Sequence, residues 1–221
     1  MSAGCGHSHD FDGASRDYKR RLIAVIVINA AMFAVEMTAG EAAGSQALKA
    51  DALDFFADAL TYGISLAVIG ASLKLRATAA AAKGLSLLLM GLWVAGSTIY
   101  QFFGPGLPEA PVMGVVGLMA LSANIASVVI LMRYKDGDAN VRSVWLCSRN
   151  DAIGNIAVMG ASAAVWLTAT PWSDLAVAAV MAGLFLSSSA QILWQSLREW
   201  RQGEPGKHHE EHHDHAHGHT H

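Results

Sequence analysis

Six apolar windows divide this chain, at residues 22–40, 50–73, 84–103, 112–132, 144–168 and 175–193. Each is close to the roughly 20 residues that an α-helix needs to cross the hydrocarbon core of a bilayer. Polar connections with Gly, Pro and charge separate them, notably GPGLPEAP, TATPWSD and RYKDGD. The windows are too long and too continuously apolar for barrel strands, which alternate in polarity over about ten residues. The pattern predicts an all-α integral membrane protein with six transmembrane helices. Composition agrees, because 53% hydrophobic and 15% charged residues leave too little polar material to cover a soluble globule of 221 residues.

The expected organisation is an N-terminal tail over 1–21, a six-helix domain over 22–200 and a His-rich tail over 201–221. The first residues carry charge and His instead of a basic start and an apolar core, so the N-terminus is expected to be retained. Cys5 lies in a polar tail and Cys147 in an apolar window, a placement that argues against a structural disulfide. Arg16, Lys19, Arg20 and Arg21 precede the first window. Lys74, Arg76 and Lys83 join the second to the third, Arg133, Lys135 and Arg142 join the fourth to the fifth, and Arg198, Arg201 and Lys207 follow the sixth. All of the fifteen cations except Lys49 and Arg149 thus fall on one side, and Lys and Arg are retained in the cytoplasm, so both termini are expected there. The absence of an organellar targeting signal is consistent with a bacterial inner membrane.

An ionisable group at membrane depth costs several kcal/mol even on lenient scales (roughly 2.5–3.5 for Asp), so each one needs a reason. The second window contains KADALDFFADAL, which places Asp51, Asp54 and Asp58 at i, i+3 and i+7 on one helix face. Asp51 either caps the helix start at the interface or belongs with the other two. Asp54 and Asp58 lie one and two turns further in, where capping cannot account for them. The fifth window supplies a second stripe, Cys147, Asp151 and Asn155, at i, i+4 and i+8. A lone Cys in an apolar helix is ordinarily a small hydrophobe, but a carboxylate one turn away makes it a candidate ligand. Arg149 and Asn150 lie off that stripe, with Arg149 free either to snorkel or to pair with an acid.

The first and fourth windows add Asn29, Glu36 and Asn124, whereas the third and sixth contain no charged residue. Helices one, two, four and five are therefore expected to form a polar-lined inner bundle, with three and six packed outside. Two i, i+4 pairs on facing helices bring Asp54, Asp58, Cys147 and Asp151 to one point, a donor set suited to a tetrahedral divalent transition metal. Without a cation the carboxylates repel one another, so the empty site is expected to hold protons that the metal displaces. Asp51, Asn155 and Glu36 are candidates for supporting the ligands or lining the ion's path to them.

All ten His residues lie in the tails: His7 and His9 near the start, and His208, His209, His212, His213, His215, His217, His219 and His221 in HHEEHHDHAHGHTH. The C-terminal tract is interleaved with Glu, Asp, Ala and Gly, unlike the uninterrupted run of an engineered tag. It reads either as a metal-buffering segment or as a solvated tail with incidental affinity.

Over residues 21–198 these features resemble the cation diffusion facilitator family of metal/proton antiporters. The segment NAAMFAVEMTAGEAAGSQALKADALDFFADAL is similar to the family's first two helices, including the Glu in helix one, the Gly-Ser-x-Ala-Leu loop and the Ala-Asp-Ala entrance to helix two. The family's second helix carries His or Asp four residues before an Asp, matched by Asp54 and Asp58. Its fifth carries His or Asp four residues before another Asp and then a small polar residue, which falls on Cys147, Asp151 and Asn155. Cys147 departs from the pattern, and a thiolate favours softer ions, so the resemblance shifts toward Zn²⁺ and Cd²⁺ and away from manganese or magnesium. Most members carry a folded cytoplasmic domain after the sixth helix; this sequence is similar to the subset without it.

The resemblance implies a transporter exporting Zn²⁺ or Cd²⁺, with Co²⁺ as a further candidate, from the cytoplasm in exchange for protons. It also implies a homodimer, held here through transmembrane contacts. The metal is cargo, so no resident cofactor is expected, and the partners are metal ions, protons and the lipid bilayer, with no nucleic acid. A passive metal channel or a membrane metal sensor without turnover would share the fold. No nucleotide-binding loop, nucleophile elbow or redox motif supports an enzyme.

Overall fold

The computed structural model describes residues 15–67, 73–104, 106–134 and 139–202. Both His-rich tails and Cys5 lie outside them. Among the described residues the chain forms six long helices and no strand: α1 (Arg16–Ala43), α2 (Gln46–Ala67), α3 (Leu73–Phe102), α4 (Ala110–Leu131), α5 (Ala139–Thr168) and α6 (Trp172–Gln202), with a single 3₁₀ turn at Met132–Tyr134 after α4.

Local chemistry sets the ends. Ser15 caps α1 by accepting from the Tyr18 amide at 3.2 Å. Gly44 closes α1 in the left-handed region at φ 65°, where a side chain would be strained, and the Ser45 amide returns to the Gly40 carbonyl at 3.0 Å. Pro111, whose φ is already helical, lies in the first turn of α4. The sequence LKLRATAAAAKG is Ala-rich and free of breakers, so the cationic stretch expected to connect the second and third windows is helical and forms the start of α3. α2 also begins four residues earlier than its apolar window.

Among the described residues, five helices are long and apolar enough to cross a membrane: the segments Arg16–Ala43, Thr78–Phe102, Ala110–Tyr134, Asp151–Thr168 and Trp172–Arg198. α2 does not meet that measure. Its 22 residues carry Lys49, Asp51, Asp54 and Asp58, and the carboxylates that make it chemically interesting also lower its apolar character.

The helices pack chiefly as pairs, α3 with α6, α1 with α2 and α4 with α5, and α2 also touches α3, α5 and α6. In the α3–α6 pair, a Cβ added at Gly84 would come within 3.0 Å of Leu193 Cγ, and one at Gly91 within 3.0 Å of Leu186 Cγ. These glycines are seven residues apart, on one face, and their missing side chains allow the close approach. Ser189 Oγ donates across the same seam to the Gly84 carbonyl at 2.8 Å. One apolar cluster joins α2, α3 and α6 around Leu87, Val94, Ala178 and Phe185. Another joins α2, α4 and α5 around Leu48, Met113, Val158 and Val165. The outer faces expose Val27, Leu89, Val129, Trp166, Leu167 and Leu184, as helices facing lipid do.

Candidate metal centre

The turn between α1 and α2 is fixed by a carboxylate from α6. Asp174 accepts from Ser45 Oγ at 2.6 Å, from the Gln46 amide at 2.9 Å and from the Ala47 amide at 3.1 Å, while Ser45 Oγ accepts from the Leu48 amide at 3.0 Å. These contacts satisfy the free N–H groups at the start of α2. The capping role considered for Asp51 is thereby overturned. Asp51 lies more than a turn inside α2, is 2% exposed, and stands beside the carboxyl of Glu36 on α1.

Beyond Asp51, a cavity of about 330 Å³ opens between α2, α5 and the α3–α6 pair. Asp51, Asp54, Asp58 and Thr61 of α2 line it, with Lys83 and Leu87 of α3, Asp151 and Gly154 of α5, and Met181, Phe185 and Ser188 of α6 among the rest. Asp151 stands within side-chain hydrogen-bonding reach of both Asp54 and Asp58. Tyr62, one turn below Asp58 and fully buried, donates its phenolic hydroxyl to the Asp58 carboxylate. The structure thus brings three of the four expected ligands together. The fourth, Cys147, lies in α5 one turn before Asp151, and its side chain is outside the described residues. Among the described residues, no three His, Cys, Asp or Glu side chains are placed to hold a metal ion as they stand.

The other expected polar residues differ in their surroundings. Glu36 is fully buried, and neither of its carboxylate oxygens has a hydrogen-bond donor; Asp51 Oδ2 also lacks one. Two carboxylates are both acceptors, so a hydrogen bond between this pair requires a proton on one of them. Asn155 is fully buried on α5 without a partner for its amide, and Asn124 is 2% exposed on α4. Asn29 donates back to the Val25 carbonyl at 2.9 Å. Arg149 is exposed. Lys49, the one cation assigned to the far side, pairs with Glu41 at 2.6 Å beside the α1–α2 turn.

Sequence reasoning missed two groups beside the carboxylates, Lys83 in the cavity wall and Tyr62 behind Asp58. Tyr62 follows Asp58 by four residues, a spacing that places its hydroxyl beside the carboxylate. Lys83 was assigned to a connection, although the Ala-rich run before it is a helix-forming signal.

Residues 22–199 match the family described as the cation efflux transmembrane domain. The chain is 27% identical over 216 residues to the zinc transporter ZitB of Pectobacterium atrosepticum, covering 91% of this chain and 66% of that protein. It is 25% identical over 205 residues to the metal cation efflux system protein CzcD of Cupriavidus metallidurans, covering 87% and 64%. A cadmium, cobalt and zinc/H(+)-K(+) antiporter of Bacillus velezensis is 26% identical over 217 residues, covering 91% and 68%. The chain therefore spans about two thirds of the length of these relatives.

Proposed function

Since the chain belongs to the cation diffusion facilitator family, whose members are metal transporters and not enzymes, we propose that this multi-pass membrane protein exports Zn²⁺ or Cd²⁺, with Co²⁺ as a further candidate, from the cytoplasm in exchange for protons. One observation carries the reading: three carboxylates from two helices, Asp54, Asp58 and Asp151, line a single cavity within reach of one another. Such a group has no purpose in an apolar bundle unless it meets a cation or protons. The relatives' printed names, zinc transporter and cadmium, cobalt and zinc antiporter, support the choice of cargo.

Asp54, Asp58, Cys147 and Asp151 hold the ion, and loading draws the oxygens and the thiolate onto it in a tetrahedral set. Tyr62 orients Asp58, as a hydrogen-bond partner behind a ligand does. Glu36 on α1 and Asp51, about two turns before Asp58 on α2, serve the ion's path or the protons that replace it. Binding requires deprotonated ligands, so metal loading releases protons and proton loading releases metal. That competition is the coupling.

All six helices span the membrane, α2 included, its charges shielded by its neighbours and not by lipid. α1, α2, α4 and α5 form the inner bundle, and the tightly apposed α3–α6 pair closes the cavity from its flank. α2 meets α5 over a narrow contact compared with the broad seams within the helix pairs, which suits alternating access by rocking around a fixed midplane site. The location is a bacterial inner membrane with both termini cytoplasmic, the assembly a homodimer, and the His-rich tails a cytoplasmic metal buffer.

The test is uptake of Zn²⁺ and Cd²⁺ into proteoliposomes under an imposed proton gradient. Uptake is expected to follow the gradient and to be abolished in Asp151→Ala. Uptake indifferent to both the gradient and the substitution would overturn the reading.

A further inference from the structure

The cavity that holds the acidic cluster also holds a cation. Asp51, Asp54, Asp58 and Asp151 line it together with Lys83. Lys83 lies ten residues into α3, about 15 Å from its first residue, and Asp58 lies nine residues before the last described residue of α2. Lys83 thus stands almost three turns inside its helix, unlike a headgroup-anchoring lysine at a helix end. The root of this side chain is also fixed. The next residue, Gly84, is buried against Leu193 and receives the Ser189 hydroxyl on its carbonyl, which pins this turn of α3 to α6.

We propose that Lys83 is a tethered counter-cation of the metal site: its ammonium lies against the α2 carboxylates while no metal is bound, yields to the divalent ion on loading, and returns when the ion leaves. The inference rests on the reading of Asp54, Asp58 and Asp151 as the metal site. Lys83 shares the cavity wall with Asp58, so its charge is close enough to bear on the carboxylates. An ammonium on a four-carbon stem is a compact, mobile point charge with three donors. As a monovalent ion it loses to a divalent one for the same carboxylates, yet it raises the free energy of the loaded state by repelling the metal. A transporter must release what it binds, and a built-in competitor keeps affinity from becoming a trap. Lys83 is thus a positioning and affinity-setting residue, not a ligand.

The test is equilibrium binding of radioactive Cd²⁺ to the full-length protein in detergent, with the signal of the Asp54→Asn/Asp58→Asn double variant subtracted to remove binding by the tails. Lys83→Met is expected to bind Cd²⁺ about tenfold tighter or more at the cavity, and Lys83→Arg to stay within about threefold of the unmodified protein, as loss and retention of one nearby charge require. A purely structural lysine would weaken binding or leave it unchanged. Unchanged or weaker binding in Lys83→Met, or equal effects of Met and Arg, would overturn the proposal while leaving the site in place. If Lys83→Met does not fold, Lys83→Gln is measured instead, and failure of both neutral variants beside a folded Lys83→Arg would assign Lys83 a structural role and overturn the proposal. Equal binding by the unmodified protein and the double variant would instead remove the metal site itself, and the proposal with it.

Discussion

Ser45 Oγ donates to Asp174 Oδ1 at 2.6 Å, joining the α1–α2 turn to the first turn of α6. The same carboxylate takes the Gln46 and Ala47 amides, so one side chain sets where α2 begins and hence the depth of every carboxylate along it. Asp174→Ala leaves these buried donors without an acceptor. The expected cost is roughly 2–4 kcal/mol, read as a lower midpoint of thermal unfolding in detergent, with Asp174→Asn intermediate because an amide oxygen replaces only part of the carboxylate.

Tyr62→Phe keeps the buried ring and removes only the hydroxyl that Asp58 accepts. The protein is expected to fold with ordinary stability while Cd²⁺ affinity at the cavity falls about tenfold, the usual consequence of losing a partner behind a metal ligand. Isothermal titration of the variant against Asp58→Asn checks this.

Glu36 has no hydrogen-bond donor for either oxygen, and Asp51 faces it. Glu36→Gln supplies an N–H donor at the same volume and is expected to fold at least as stably as the unmodified protein. Glu36→Lys places a long cation among buried groups and is expected to abolish accumulation in the membrane. Membrane-fraction yield and thermal unfolding of the two variants distinguish these outcomes.

Gly91 and Gly63 make a matched pair. A Cβ at Gly91 falls 3.0 Å from Leu186 Cγ, whereas one at Gly63 meets nothing within 4 Å. Gly91→Val is expected to cost about 1–3 kcal/mol by forcing α3 from α6. Gly63→Ala is expected to gain about 0.5–1 kcal/mol from helix propensity. Thermal unfolding of both variants provides the comparison.

Much of this was legible in the sequence because apolar length and helical spacing are local properties. The six helices, the stripe of Asp54 and Asp58 and the position of Asp151 all follow from counting along the chain. The start of α2 does not, because Asp174, which sets it, lies more than a hundred residues away in a segment that reads as a connection. Asp51 was ambiguous for the same reason: its capping role disappears only once Ser45 and Asp174 are seen to occupy it. Lys83 reads as part of a connection because charge ordinarily marks the end of a span, whereas the Ala-rich run before it continues α3 back to Leu73. The pairing of α3 with α6 was readable only in part, since Gly84 and Gly91 mark a close approach without naming the partner.

The most direct test of the exchange account is the internal pH of proteoliposomes during Cd²⁺ influx driven by a Cd²⁺ gradient alone. Protons leaving against entering metal should make the lumen more alkaline in step with uptake, and Asp58→Asn should lose both signals. Cd²⁺ entry at an undiminished rate with no change in internal pH, or an Asp58→Asn variant that moves both ions normally, would contradict it.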